Sequence, residues 1–224
     1  MTPLALIPGW GFDARVWQPV VERLAAEFAI HPLDHAPSAT LPEGAIVCGW
    51  SLGAMTAMQL ALDQPERVAR LVLVGATPRF VQAPDWPDAA PPESLQAFAA
   101  GIAADPDATL RQFAGRINLG DDRAAPLTRR IAALLADRRA DTATLAAGLA
   151  RLRDLDLRKS VAAIRQPTLV VHGERDVLMP VAAACWLAEH LPHARLEIFL
   201  GASHAPFLSE PERFAALLRQ FAHE

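Results

Sequence analysis

Ala45-Ile46-Val47-Cys48-Gly49-Trp50-Ser51-Leu52-Gly53-Ala54-Met55 decides the reading of this chain. Residues 45–48 are apolar and fit a buried strand, and residues 52–63 have the composition of a helix. Between them stands one serine with a glycine two residues to either side. In a chain with 12 Gly and six Ser, G-x-S-x-G arises by chance roughly 0.02 times. The glycines have a physical reason. A sharp strand-to-helix turn strains the serine backbone, and only small flanking residues let the helix and the strand approach each other. The hydroxyl then stands clear of the sheet at the positive end of a helix.

Outward from this turn, apolar runs alternate with helical patterns. Residues 4–7, 28–33, 45–48, 71–74, 168–171 and 195–200 read as strands, and about 14–27, 52–63, 181–190 and 211–222 as helices. Alternation of this kind predicts an α/β fold with parallel strands joined by right-handed crossovers. Residues 80–160 break the rhythm: a proline-rich loop at 81–92 is followed by Ala- and Arg-rich helical stretches without a strand. We read them as a helical insertion in a core of 1–79 and 161–224.

An alcohol is a weak nucleophile at neutral pH and needs a base. His204 follows the last strand and precedes the last helix, so a parallel sheet brings it to the same edge as Ser51. His172 ends a strand and reads as structural. His31 and His35 lack a partner motif, His223 is terminal, and a proline separates His190 from His193, which with Cys185 make a poor metal site. The orienting carboxylate is expected from the turn after strand 168–171, with Asp176 the candidate and Glu174 its competitor. The order Ser51, Asp176, His204 suits a hydrolase of this architecture. The oxyanion of a tetrahedral intermediate needs donors. The backbone N–H groups of Leu52 and Trp10 are the candidates, the latter on the loop Pro8-Gly9-Trp10-Gly11, whose indole would also wall an acyl cavity. The same loop, as Gly9-Trp10-Gly11-Phe12-Asp13-Ala14 with Asp34 beyond it, fits a dinucleotide fingerprint. That rival leaves Ser51, Asp176 and His204 unexplained, and its Trp would crowd a pyrophosphate.

Composition narrows the classes. The 224 residues are 52% hydrophobic and 21% charged with a net charge of −4, which suits a folded domain rather than a disordered or nucleic-acid-binding chain. No apolar run is long enough to span a membrane. Two cysteines, Cys48 and Cys185, are too few for a disulfide framework. Met1 leads into Thr-Pro-Leu-Ala-Leu-Ile-Pro-Gly without a basic segment or cleavage site, so no secretory signal is expected and the cytoplasm is the expected compartment. Charge is uneven: residues 111–159 hold ten Arg and one Lys against six Asp, a net of +5. They form either a solvated helical surface or a docking face for an acidic partner.

With these residues in view, the sequence resembles the α/β-hydrolase superfamily over nearly its whole length, and within it the pimeloyl-[acyl-carrier protein] methyl ester esterases of biotin synthesis. Four features carry the resemblance: Gly9-Trp10-Gly11 followed by Trp17; Gly49-Trp50-Ser51-Leu52-Gly53; Asp-Leu-Arg at 156–158; and His204-Ala205-Pro206-Phe207. The resemblance implies a minimal α/β-hydrolase fold, six mostly parallel strands with a helical lid. It implies a serine carboxylesterase that hydrolyses the methyl ester of a pimeloyl chain on acyl-carrier protein, with no metal or cofactor. The implied substrate-binding residues are Trp10, Ser51, Leu52, Phe113, Ala114, Gly115, Arg116, Ile117 and His204. Arg123, Arg129, Arg130, Arg138 and Arg139 are candidates for docking the carrier protein, and a monomer is expected. A general small-molecule carboxylesterase is the alternative, with a non-catalytic or dinucleotide-binding protein behind it. Pro8 stands where the family usually has His, and Ala54 where it often has Gly. The family's N-terminal antiparallel strands are not expected. Residues 34–44 are too short for the usual crossover helix, although eleven extended residues still reach about 36 Å, ample to pass a strand about 4.8 Å away. One face of the sheet should then be less covered.

Overall fold

The computed structural model describes residues 1–35, 40–138 and 140–224. Strands β1 (Thr2–Ile7), β2 (Phe28–Pro32), β3 (Ala45–Trp50), β4 (Val68–Val74), β5 (Thr168–Gly173) and β6 (Ala194–Phe199) form one sheet in the order β2-β1-β3-β4-β5-β6. Every pairing is parallel. Strands β3 and β5 are buried along their whole length, which is why their sequences run apolar without alternation. Edge strand β2 is buried only at Phe28 and ends on Pro32, which cannot extend a ladder.

The helix expected over 14–27 is divided. A 3₁₀ turn, Ala14–Trp17, is capped by Asp13, and α1 begins only at Gln18, with Pro19 in its first turn. A proline fits there because the first N–H groups of a helix have no intrahelical acceptor, whereas it would break a continuous helix. Helices α2 (Leu52–Asp63), α7 (Val181–His190) and α9 (Pro211–Ala222) stand where the sequence places them. Between β4 and β5 lie α3 (Pro92–Ala104), α4 (Pro106–Ile117), α5 (Ala124–Ala136) and α6 (Thr142–Asp154). Asp105 and Asp141 cap α4 and α6 by accepting from Ala108 N and Thr144 N at 2.9 and 2.8 Å. Stripes at helical spacing, Leu110–Ala114–Ile117 on α4 and Leu127–Ile131–Leu135 on α5, are buried as these helices pack together. They share one apolar core with the strands. A short α8 (Pro206–Ser209), absent from the sequence reading, follows His204.

The crossover from β2 to β3 contains no helix over the described residues 33–35 and 40–44. Residues 36–39 lie outside the described residues, as does Arg139. Among the described residues no helix is long and apolar enough to cross a membrane.

The tightest approach in the fold lies at the start of α2. A Cβ on Gly53 would overlap the carbonyl oxygens of Ile7 and Pro8, and one on Gly49 would overlap the carbonyl of Gly53. Backbone cannot yield as a flexible side chain can. Gly115, in α4, would meet nothing within 4 Å. Gly53→Ala is therefore expected to cost about 3 kcal/mol of unfolding free energy or to prevent folding, while Gly115→Ala should stabilise by up to about 1 kcal/mol. Urea unfolding of both variants checks the pair, and equal stabilities would refute the packing argument.

Candidate active site

Ser51 stands at φ 58° and ψ −120°, the one non-glycine residue with positive φ among the described residues. Such a conformation costs about 1–3 kcal/mol and persists only where its surroundings hold it. Here they do. Ser51 N donates to Val74 O at 2.9 Å, and Ser51 O accepts from Ala54 N and Met55 N at 2.9 and 3.2 Å. The side chain faces a cavity, and its hydroxyl makes no hydrogen bond among the described residues.

His204 lines the same cavity. Its Nδ1 donates to Asp176 Oδ2 at 2.7 Å, with both side chains buried. A carboxylate cannot donate, so Nδ1 carries the proton and Nε2 is left as the base. The other carboxylate oxygen, Oδ1, accepts from Leu178 N and Met179 N, each at 2.9 Å. Burial alone would raise the Asp176 carboxyl. The charge of His204 and the hydrogen bonds of His172 and His204 outweigh it and hold the group well below the usual carboxylate range. Glu174 takes no part: its Oε2 accepts from Gly201 N at 2.9 Å. The His204 backbone is pinned as well, with its N–H donating to Ile117 O at 3.2 Å and its carbonyl accepting from the Trp50 indole at 2.8 Å.

The two proposed oxyanion donors are available. Neither Trp10 N–H nor Leu52 N–H has a backbone acceptor among the described residues. Leu52 opens α2, where an N–H has no intrahelical partner. The Trp10 loop is braced from below: Gly9 O accepts from His35 Nε2 at 2.9 Å and from Phe12 N at 3.2 Å. His35 is thus a supporting residue that the sequence alone did not mark. Gly9 itself packs on the Trp50 ring, which leaves no room for the pyrophosphate of the dinucleotide reading.

The cavity holds about 890 Å³ of empty space with its open mouth included. Its walls are mostly apolar. Trp10, Phe98 and Phe113 meet edge to face or tilted, with ring centroids 5.2–5.4 Å apart. Of the stretch 113–117, Phe113 and Arg116 face the cavity, one helical turn apart. Ala114 and Ile117 are buried in the packing of α4 instead, and Gly115 is exposed. Leu52 is fully buried and offers the site its N–H rather than its side chain. Phe80, Phe98, Leu149 and Leu152 also line the cavity and had no sequence signal beyond being apolar. His172 did have one, its i,i+4 spacing to Asp176, and its Nε2 lies 3.3 Å from Asp176 Oδ2.

The arginines divide. Arg123 donates to Ser209 O, and Arg138 pairs with Asp107 at 2.9 Å. Arg129 and Arg130 are exposed and form no ion pair among the described residues. Arg139 lies outside the described residues.

Residues 38–211 match the alpha/beta hydrolase fold family. Solved structures agree on the fold. An esterase from Exiguobacterium antarcticum superposes with a TM-score of 0.90 at 23% identity, covering 100% of this chain and 92% of that one. A bromoperoxidase from Bacillus anthracis does so at 0.88 and 19%, with the same coverage. The chain belongs to the α/β-hydrolase fold family, and its class is that of the carboxylic ester hydrolases. Relatives narrow this. The pimeloyl-[acyl-carrier protein] methyl ester esterase of Nitrosomonas europaea is 39% identical, with 95% of this chain and 92% of that protein covered. The protein of the same name from Aromatoleum aromaticum is 40% identical, with 96% of each covered. The chain is a member of the family these esterases form.

The depressed Asp176 carboxyl links the site to stability. A carboxyl held below its ordinary value of 3.8 stabilises the fold above that value, and the contribution is lost as pH falls through the lower, folded value. Asp176→Asn should therefore be less stable than wild type at pH 7, with the gap narrowing below about pH 4. Denaturant midpoints at pH 7 and pH 3 test this, and a gap that does not change with pH would contradict it.

Proposed function

We propose that this esterase hydrolyses the methyl ester of a pimeloyl chain carried on an acyl-carrier protein and releases methanol. The observation that carries the chemistry is the 2.7 Å bond between His204 and Asp176 on the wall of the cavity that Ser51 enters. The names of the relatives carry the substrate. Ser51 Oγ attacks the ester carbonyl carbon while His204 Nε2 takes its proton. The carbonyl oxygen becomes an oxyanion between Trp10 N–H and Leu52 N–H. Collapse breaks the bond to methoxide, which leaves as methanol with the proton from His204. Water then attacks the acyl-enzyme, again giving a proton to His204, and frees Ser51 and the carboxylic acid. Asp176 stabilises the imidazolium at each passage.

Residues 80–160 act in this reading as a lid over a core of 1–79 and 161–224. Within them, residues 111–159 carry the net +5 that faces an acidic carrier, with Arg129 and Arg130 the exposed cations on α5. In this reading the enzyme meets its carrier substrate in the cytoplasm and works as a monomer. A general carboxylesterase is the second reading, favoured by cavity walls that are mostly apolar and present one permanent charge, Arg116.

Ser51→Ala should lower kcat/KM on p-nitrophenyl acetate by about 10⁴-fold or more with the fold intact. Turnover that survives the substitution would dismiss this serine. Exchanging both Arg129 and Arg130 for Glu should raise KM for a carrier-bound methyl ester about 5- to 30-fold and leave p-nitrophenyl acetate untouched. An equal loss on both substrates would sink the docking face, and growth of a biotin auxotroph on the wild-type gene separates the two readings.

A further inference from the structure

His172 is a fully buried histidine that the reaction above does not use. Its Nε2 lies 2.7 Å from Met179 O, and a carbonyl only accepts, so Nε2 carries the proton. The same nitrogen lies 3.3 Å from Asp176 Oδ2, the oxygen that receives the His204 proton. Its other nitrogen, Nδ1, is buried without a hydrogen-bond partner among the described residues. A buried ring with an unpartnered nitrogen carries a cost that a phenylalanine of similar shape would avoid. The cost is offset by what Nε2 does for the carboxylate.

We infer that His172 is a positioning residue which acts through Asp176, sharing Oδ2 with His204 and setting how strongly that oxygen favours the His204 imidazolium. The inference rests on the Ser51–His204–Asp176 reading above. Oδ2 accepts from His204 Nδ1 at 2.7 Å and has His172 Nε2 at ion-pair distance, 3.3 Å, while Oδ1 is occupied by two backbone N–H groups. Each donor draws on the same negative charge. With His172 in place, less of that charge remains for His204, and Oδ2 is fixed in line with His204 Nδ1.

Among the described residues no second charged side chain is paired with the ring. In the register of β6 the residue opposite His172 is Ile198. Glu197, one position away, pairs with Arg213 at 2.6 Å. The buried residues of α7 are Ala183, Ala184 and Leu187, and those of α8 are Pro206, Phe207, Leu208 and Ser209. Asp176 and, across it, His204 are the titratable partners. Burial works against protonation of His172, and the neighbouring Asp176 carboxylate more than compensates, so the ring holds a proton more readily than an ordinary histidine.

The test is the acid limb of kcat/KM for p-nitrophenyl acetate, where activity falls as the base becomes protonated. His172→Phe fills the space and removes the donor. Oδ2 is then left to His204, and the limb should move up by about 0.5–1 pH unit, a loss of about 3- to 10-fold at a fixed pH on the limb. The low-field proton resonance of the Asp176-bound imidazole should move further downfield. His172→Gln, which restores a donor near the Nε2 position, should return the limb to within about 0.3 unit of wild type. If the Phe variant does not fold, His172→Asn, too short to reach Oδ2, takes its place. A limb that stays put in the donor-free variant, even with lower kcat, overturns the inference and leaves His172 as packing. Ser51→Ala run in parallel tells the two failures apart: an inert Ser51→Ala with an unmoved limb refutes only the role of His172, whereas an active one refutes the reading beneath it.

Discussion

Everything in the site hangs on one strained residue held by backbone. Ser51 occupies a conformation that an L-residue avoids, and it stays there because β4 accepts its N–H while the first turn of α2 donates to its carbonyl. Those bonds form only if α2 can lie almost against β1 and β3. That approach leaves no volume for a side chain at Gly49 or Gly53. The same closeness sets the Leu52 N–H, at the open start of α2, next to Ser51 and brings the loop after β1 alongside it. One steric condition therefore fixes the proposed nucleophile and one of the two proposed oxyanion donors together.

The parallel sheet supplies the rest. With all strands pointing one way, the loops after β1, β3, β5 and β6 collect at one edge, and short connections can bring Trp10, Ser51, Asp176 and His204 together. The loops are tied to one another as well as to their strands. Asp121, at the junction of α4 and α5, accepts from Ser203 N at 2.9 Å and from Ser209 Oγ at 3.1 Å, bracketing His204. Arg175, beside the acid, pairs with Asp122 at 2.6 Å and reaches Gly120 O at 2.8 Å. The buried members of this network are almost fully satisfied, which is what a low-dielectric site requires of its polar groups.

Much of this was legible in the amino-acid order, and the gaps have physical causes. Nearly continuous apolar runs marked the central strands because both faces of the sheet are covered there, as the full burial of β3 and β5 shows. The G-x-S-x-G turn, the acid two residues past Glu174 and the histidine after the last strand could be placed because topology alone sends them to one edge. Pro19 divided a helix that periodicity drew as one, and α8 is too short to leave a periodic trace. The cavity walls were harder. Phe98 and Phe113 lie on different helices, and which face of each turns inward depends on helix packing that no local pattern encodes. His35 was set aside for want of a motif and His172 was read as structural, yet one braces the Trp10 loop and the other lies against the acid. Contacts like these are tertiary, and a lone histidine announces none of them.

The Trp10 indole adds one consequence. Its Nε1 donates to the carbonyl of Leu145 in α6 at 2.8 Å, while its own backbone N–H has no backbone acceptor among the described residues. A single residue thus belongs at once to the sheet edge and to the helices above it. Any swing of α6 away from the sheet must first break that indole bond and strip the ring of its cover. If Trp10 serves as proposed, displacement of α6 and the geometry at Ser51 are mechanically interlocked through one indole.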